Sequence, residues 1–123
     1  MNSSGYYWNL AEEYSEKANK VTKVNNDCKN YKNLVDACLN ELNSNISFLK
    51  NNCKIGDKTI SEDDLNKSNN NLILVLENLD LIIATLSNKA AELSNKAHYY
   101  MNLYNQALRE ENERKSKNYI RKE

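Results

Sequence analysis

Residues 72–86 read LILVLENLDLIIATL, and this stretch decides the fold. It belongs to an apolar or aromatic series that recurs every seven positions: Leu65, Leu72, Leu79, Leu86, Leu93, Tyr100 and Ala107, with Leu76, Ile83, Ala90, Ala97 and Tyr104 four residues after five of them. Because hydrophobic residues make up 40% of the chain, seven matches in seven would arise by chance with a frequency of about 10⁻³. The period predicts a long helix with a coiled-coil seam.

The N-terminal half of the chain carries a second series with the same period. Steps of seven from its first member give Tyr7, Tyr14, Val21, Cys28, Val35, Leu42 and Leu49. The second seam position is less regular, and we assign it to Leu10 or Ala11, Ala18, Val24, Tyr31, Cys38 or Leu39, Ile46 and Cys53. Two independent series of this length predict two long helices.

The segment between the two series has the signals of a turn. Gly56 suits the left-handed residue that ends a helix. Ser61 suits an N-cap before the acidic residues 62–64, and Ile60 and Leu65 have the spacing of a hydrophobic staple. We therefore predict helix 1 at about 4–54, a turn at 55–61, helix 2 at about 62–118 and a flexible tail at 119–123.

A short turn between two long helices predicts an all-α fold, namely a long antiparallel two-helix hairpin that forms one domain over 1–118. The chain has two glycines and no proline, which argues against folds with many tight turns. Folding about the turn places residue i opposite residue 118 − i. On this register Tyr14 faces Tyr104 and Cys28 faces Ala90.

Helix 2 has more apolar residues than an intrachain seam requires. Ile73, Leu74, Leu81 and Ile82 point away from that seam, and Leu34, Cys38 and Phe48 widen the apolar stripe of helix 1. Such an excess is typical of an interface, so we predict that a helical partner or a second copy completes a four-helix bundle. The alternative is that the helices break and form a compact monomer of three or four helices. A helix lying on a membrane is less favoured, because Glu77 and Asp80 stand where lysines would be needed.

Helix 1 begins with three consecutive aromatic residues, Tyr6, Tyr7 and Trp8. The rings of Tyr6 and Trp8 cannot both face helix 2, so we predict that at least one of them binds a partner. The alternative is packing against the end of helix 2, around residues 104–108.

The composition argues against several classes of function. Seventeen basic residues balance seventeen acidic ones, which does not suit a nucleic-acid-binding protein. The sequence lacks an uninterrupted run of about 18 apolar residues, so we predict no membrane span. His98 is the single histidine, and the cysteines have no C-x-x-C spacing. We therefore expect no catalytic residue, no metal and no cofactor, and hence a non-enzymatic protein.

The N-terminus has no basic segment followed by an apolar one, so we predict no Sec signal peptide. The chain has three cysteines, Cys28, Cys38 and Cys53, and an odd number cannot form a fully paired set of disulfides. If all three lie on one helix, they are too far apart for intrachain disulfides. We expect reduced thiols and a cytoplasmic location at synthesis.

A helical hairpin of this size that ends in Tyr119-x-x-x-Glu123 resembles the WXG/ESAT-like superfamily. With the aromatic segment 6–10 and scattered cysteines, the chain is more closely similar to the small helical proteins encoded beside LXG toxins of type VII secretion systems. It departs from classical WXG proteins at the turn, where Ile55-Gly56-Asp57 replaces Trp-x-Gly.

The resemblance implies a targeting factor or chaperone that pairs with the helical N-terminal domain of a secreted toxin. It also implies that Tyr119 and Glu123 form an export signal for a Sec-independent route. The residues alone leave a second interpretation open, a structural bundle protein that associates with itself.

Overall fold

The computed structural model describes residues 2–52, 54–55, 58–59 and 61–122, with the side chains of residues 50, 62 and 119–122 and of both strands outside this description. Helix α1 spans Ser4–Ser44 and helix α2 spans Ile46–Asn52. Two short strands follow, β1 at Lys54–Ile55 and β2 at Lys58–Thr59, and then helix α3 at Glu62–Lys122. Apart from this small strand pair, the fold is all-α. Helix α1 packs against helix α3.

The predicted helix 1 is divided at Asn45. The amide nitrogen Nδ2 of Asn45 donates a hydrogen bond to the carbonyl oxygen of Glu41 at 2.8 Å, to which the backbone nitrogen of Asn45 also donates, at 3.1 Å. Asparagine side chains compete in this way for helical backbone acceptors. Backbone bonding resumes with Leu49, whose nitrogen donates to the Asn45 carbonyl at 2.9 Å, so the interruption is one residue long.

The turn differs from the predicted one because it contains strands. β1 and β2 pair in an antiparallel manner, Lys54 with Thr59 and Ile55 with Lys58. The predicted N-cap is confirmed, since Oγ of Ser61 accepts a hydrogen bond from the backbone nitrogen of Asp64 at 3.1 Å. Gly56 and Ile60, the predicted C-cap and staple residues, lie outside the described residues, as does the predicted seam residue Cys53.

Helix α3 is longer than predicted. It continues to Lys122, whereas the sequence placed its end at 118 and a flexible tail at 119–123. The segment 107–118 contains many good helix formers such as alanine, glutamate, lysine and arginine, and neither glycine nor proline stops the helix before the end of the chain.

The chain divides into two compact units. Unit 1 comprises Met1–Lys23 and Leu86–Glu123, and unit 2 comprises Val24–Thr85. The core of unit 1 is built from small residues and one leucine, which are at most 8% exposed: Ala11, Ala18, Leu93 and Ala107. In unit 2, Leu65 and the polar Asn25 are buried to a similar degree.

Most of the predicted seam positions are confirmed. Every member of the two seven-residue series is buried or half-buried in both units. The second seam position of α1, however, falls regularly at residues 11, 18, 25, 32 and 39, and Ile46 of α2 continues the series. Val24 and Tyr31 were therefore assigned wrongly, and they are 51% and 63% exposed. Asn25 and Lys32 occupy the seam in their place.

The predicted register is displaced by about one helical turn. In unit 1 the ring of Tyr14 stacks on Tyr100, at 5.5 Å between centroids and 14° between planes, and not on Tyr104. In unit 2 Lys32 forms an ion pair with Asp80. The strand pairing in unit 2 is centred between residues 56 and 57, whereas the predicted register was centred at 59.

Candidate interaction surface

One side of unit 2 is lined by exposed apolar residues from both long helices. On α1, Val24, Tyr31 and Cys38 each precede a seam residue by one position, and on α3 Val75 and Ile82 do the same. When one helix of a pair is reversed, positions that are equivalent in the heptads of the two helices flank the same side of the seam. These five residues therefore share one side of the helix pair.

Three leucines extend this surface outward. Leu34 lies three residues after Tyr31 on α1, while Leu74 and Leu81 neighbour Val75 and Ile82 on α3. We call these residues together the apolar face, and its large members are between 43% and 67% exposed: Val24, Tyr31, Leu34, Leu74, Val75, Leu81 and Ile82, with Cys38 also exposed. A concentration of exposed large apolar residues of this kind is typical of a binding site.

The opposite side of unit 2 is polar. It carries Lys29, Asp36 and Asn43 from α1 and Asp80 from α3, and Asp80 pairs with Lys32 across the seam. Charged and amide side chains of this kind are hydrated without a partner. The two sides therefore differ in chemistry, and the apolar side is the candidate interaction surface.

The four predicted residues of helix 2 do not all lie together. Leu74, Leu81 and Ile82 are on the apolar face, but Ile73 follows the seam residue Leu72 and lies on the polar side, 38% exposed. Sequence reasoning missed Val24, Tyr31 and Val75 as surface residues. In α1 the second seam position follows each member of the seven-residue series by four residues, and a constant step of four would have identified the first two.

Of the aromatic residues at the start of α1, Trp8 contacts α3, and both Tyr6 and Trp8 are exposed. The indole of Trp8 lies 5.1 Å from the ring of Tyr104, centroid to centroid, with 56° between the planes, and Trp8 remains 40% exposed. Tyr6 packs edge-to-face on Tyr7 at 5.4 Å and is about half exposed. Trp8 thus has the intrachain packing that we gave as an alternative, with accessible surface left over.

Two lysine side chains lie close to one aromatic ring of unit 1. The ammonium groups of Lys17 and Lys96 lie 5.1 and 5.4 Å from the centroid of the Tyr14 ring, within the range of a cation–π contact. Removal of water from its phenol raises the pKa of Tyr100, and the neighbouring Tyr14 adds to the rise.

The N-terminus of α1 is held by an acidic residue of α3. The backbone nitrogen and Oγ of Ser4 donate to the carboxylate of Glu111 at 2.9 and 2.8 Å. The backbone hydrogen bond from Ser4, followed by its side-chain hydrogen bond, lowers the pKa of Glu111. A carboxylate at this position also interacts favourably with the positive end of the helix dipole.

The histidine and the described cysteines are not gathered into a group of metal-binding residues in the described part of the chain. His98 is exposed on α3, Cys28 and Cys38 are free thiols, and among the described residues no three potential metal ligands gather at one point. Of the predicted export signal, the Tyr119 side chain and Glu123 lie outside the described residues.

One helix reaches the hydropathy of a membrane span. The segment Asp63–Asn118 of α3 contains an 18-residue window with a mean hydropathy of 1.3, none of it buried in the protein. This property comes from the same apolar stretch that supplies Leu74, Val75, Leu81 and Ile82. Glu77 and Asp80 interrupt that stretch, and such charges are costly at the centre of a bilayer.

Comparisons with protein-family models, with curated proteins and with solved structures give no match to this chain.

Proposed function

We propose that this chain is a non-enzymatic protein-binding module whose apolar face packs against a helical partner and so completes a four-helix bundle. The observation that supports this function is the concentration of exposed apolar residues on one side of unit 2. Transfer of such surface out of water is the main favourable term in protein association. A second layer of helices on the apolar face would bury these side chains and leave the polar side hydrated.

We further propose that the partner is the helical N-terminal domain of an LXG toxin, and that this chain is its targeting factor or chaperone. The support is the resemblance carried by the aromatic segment 6–10 and the terminal Tyr119-x-x-x-Glu123. On this proposal the chain is made in the cytoplasm and the complex leaves by the type VII route, with Tyr119 and Glu123 as the signal. Tyr6 and Trp8 supply a second contact area.

The test is a calorimetric titration of the chain with the N-terminal domain of the LXG toxin encoded nearest to its gene. We expect binding by the wild-type chain and none by the double variant Leu74→Glu/Leu81→Glu. Asn66→Glu is the matched control, because Asn66 is exposed on the same helix and directly follows the seam residue Leu65, which places it on the polar side of unit 2. No titratable binding by the wild-type chain would contradict the toxin-partner proposal.

The export signal is tested separately. A chain without residues 119–123 should bind the toxin domain normally and should stay inside the native host. Undiminished export of the truncated chain would show that the tyrosine and glutamate are not a signal.

Self-association is the second candidate function, since the apolar face could also be covered by a second copy of the chain. Light scattering decides between the two, because a structural bundle protein would be a stable dimer that Leu74→Glu/Leu81→Glu dissociates. A monomeric chain that binds the toxin domain would exclude this candidate.

A further inference from the structure

The apolar face is bordered by acidic residues. Asp27 and Glu41 lie seven residues before and after Leu34 and therefore stand in line with it along α1. On α3, Glu77 lies three residues after Leu74 and four before Leu81, at the outer edge of the face. All three side chains are exposed.

Basic residues on this side of unit 2 are few. Among the described side chains, Lys67 stands on the same stripe as Leu74, seven residues earlier, and Asp63 and Asp64 lie four and three residues before it. Lys29 lies on the polar side, and Lys32 is paired with Asp80. Unit 2 as a whole contains six basic and nine acidic residues.

A shallow depression in this border has the lining that suits a basic side chain. It is formed by Asp27, Asn30, Tyr31 and Leu34, four residues on one side of α1, and has a volume of about 330 Å³. The carboxylate and the amide oxygen can accept hydrogen bonds from an ammonium or guanidinium group. The tyrosine ring can take a cation on its face, and the leucine can cover the methylene stem.

We infer, on the basis of the proposed function, that the occupant of the apolar face is an amphipathic helix of a different protein. The apolar stripe of this helix is flanked by lysine or arginine, and one of these basic side chains enters the depression. A second copy is a poorer match, because pairing this face with itself would bring acidic borders together. Unit 1 has the opposite balance, with eleven basic and eight acidic residues. Among its described side chains, the exposed large hydrophobic residues are the separate aromatics Tyr6, Trp8 and Tyr99, which do not form an apolar stripe.

The test uses two synthetic amphipathic helical peptides that share one leucine stripe and carry either lysine or glutamate beside it. Their binding to the full chain is followed by fluorescence anisotropy. We expect the lysine peptide to bind roughly tenfold more tightly at low salt, since each exposed ion pair changes affinity by a few-fold. The preference should nearly vanish at about 1 M salt, where the Debye length is about 3 Å.

Two isosteric variants locate the effect. Asp27→Asn should weaken the lysine peptide by roughly threefold and leave the glutamate peptide unchanged. Asp36→Asn, which removes a carboxylate from the polar side of the same helix, should change neither. An equal effect of the two variants would contradict the assignment of the depression.

The possible failures are distinguishable. If both peptides bind equally and Leu74→Glu abolishes both, the basic partner is excluded while the docking function stands. If neither peptide binds and the chain is a dimer that Leu74→Glu dissociates, the occupant is a second copy and the inference is wrong. If neither binds a monomeric chain, the inference and the proposed function both fail.

Discussion

Truncation of Leu81 to alanine should weaken binding to a partner without weakening the fold. The side chain of Leu81 is 67% exposed in the free chain, so about two thirds of its surface is available to be buried by a partner. Complete burial of a leucine side chain contributes about 1.5–3 kcal/mol, and Leu81→Ala should therefore cost roughly 1–2 kcal/mol of binding free energy. This corresponds to a dissociation constant about 5 to 30 times higher.

Leu65→Ala is the matched control for this variant. Leu65 lies on the same helix and in the same unit, but it is 6% exposed. The same truncation should there create a cavity and lower the free energy of unfolding by about 2–5 kcal/mol. Leu81→Ala should stay within about 0.5 kcal/mol of the wild type, as surface substitutions do.

The assay combines urea unfolding, followed by circular dichroism, with calorimetric titration of the toxin domain. The expected pattern is a loss of stability for Leu65→Ala and a loss of affinity for Leu81→Ala. If Leu81→Ala instead lowered the free energy of unfolding as much as Leu65→Ala, Leu81 would belong to an intramolecular core. The reasoning from its exposure would then be refuted.

Three further predictions concern the fold. Ser61→Ala should lower the free energy of unfolding by about 1 kcal/mol, because Oγ of Ser61 caps α3. Ser68→Ala, at an exposed position within the helix, is the control, and equal effects of the two variants on urea unfolding would show that Ser61 does not act as a cap. Trp8→Ala should destabilise unit 1 by at least about 0.5–1.5 kcal/mol through loss of the contact with Tyr104; unchanged unfolding would mean that the contact contributes nothing. Hydrogen bonds from Ser4 lower the pKa of Glu111 in the folded chain. The ionised Glu111 carboxylate therefore stabilises the fold fully above the unfolded pKa of about 4.3. This stabilisation is lost as the pH falls through the lower folded pKa. Glu111→Gln should therefore lower the melting temperature at neutral pH, and the difference should shrink in acid; a difference that persists to about pH 2, well below the reference value, would contradict this assignment.

The seam was largely predictable from the sequence, because a seven-residue apolar period survives in almost any context. The exceptions were polar. Asn25 is buried and Lys32 half-buried in the seam of α1, yet a search for hydrophobic residues selects their neighbours Val24 and Tyr31. Polar residues at such positions cost stability and fix register, so a pattern based on hydrophobicity assigns them to the surface.

The misassignment also affected the candidate site. Once Val24 and Tyr31 are counted as seam residues, helix 1 loses two members of its apolar face, and that face is no longer visible as one side of a helix pair. Ile73 lies outside the seam, as expected, but on the polar side of unit 2, whereas Leu74 and Leu81 lie on the apolar face. Successive residues of a helix are rotated by about 100° from one another. An error of one residue in the seam assignment is therefore enough to place a side chain on the wrong side of the helix pair.

The register could not be fixed from the sequence because it depends on the turn. Two-residue strands are too short to give a hydrophobic alternation, and β1 and β2 have two residues each. Their pairing moves the centre of the turn from residue 59 to between residues 56 and 57. For Tyr14 in unit 1, the partner is Tyr100 instead of Tyr104.

The most direct test of the docking function uses Cys38, an exposed thiol of the apolar face. In a Cys28→Ser/Cys53→Ser background, the alkylation rate of Cys38 is measured with and without the toxin domain. A second chain, with Cys28, Cys38 and Cys53 replaced by serine and Lys29→Cys added, places the single thiol on the polar side. We predict that the domain slows alkylation of Cys38 strongly and leaves the thiol at position 29 unaffected. Equal rates for Cys38 with and without a bound domain would show that the partner does not cover the apolar face.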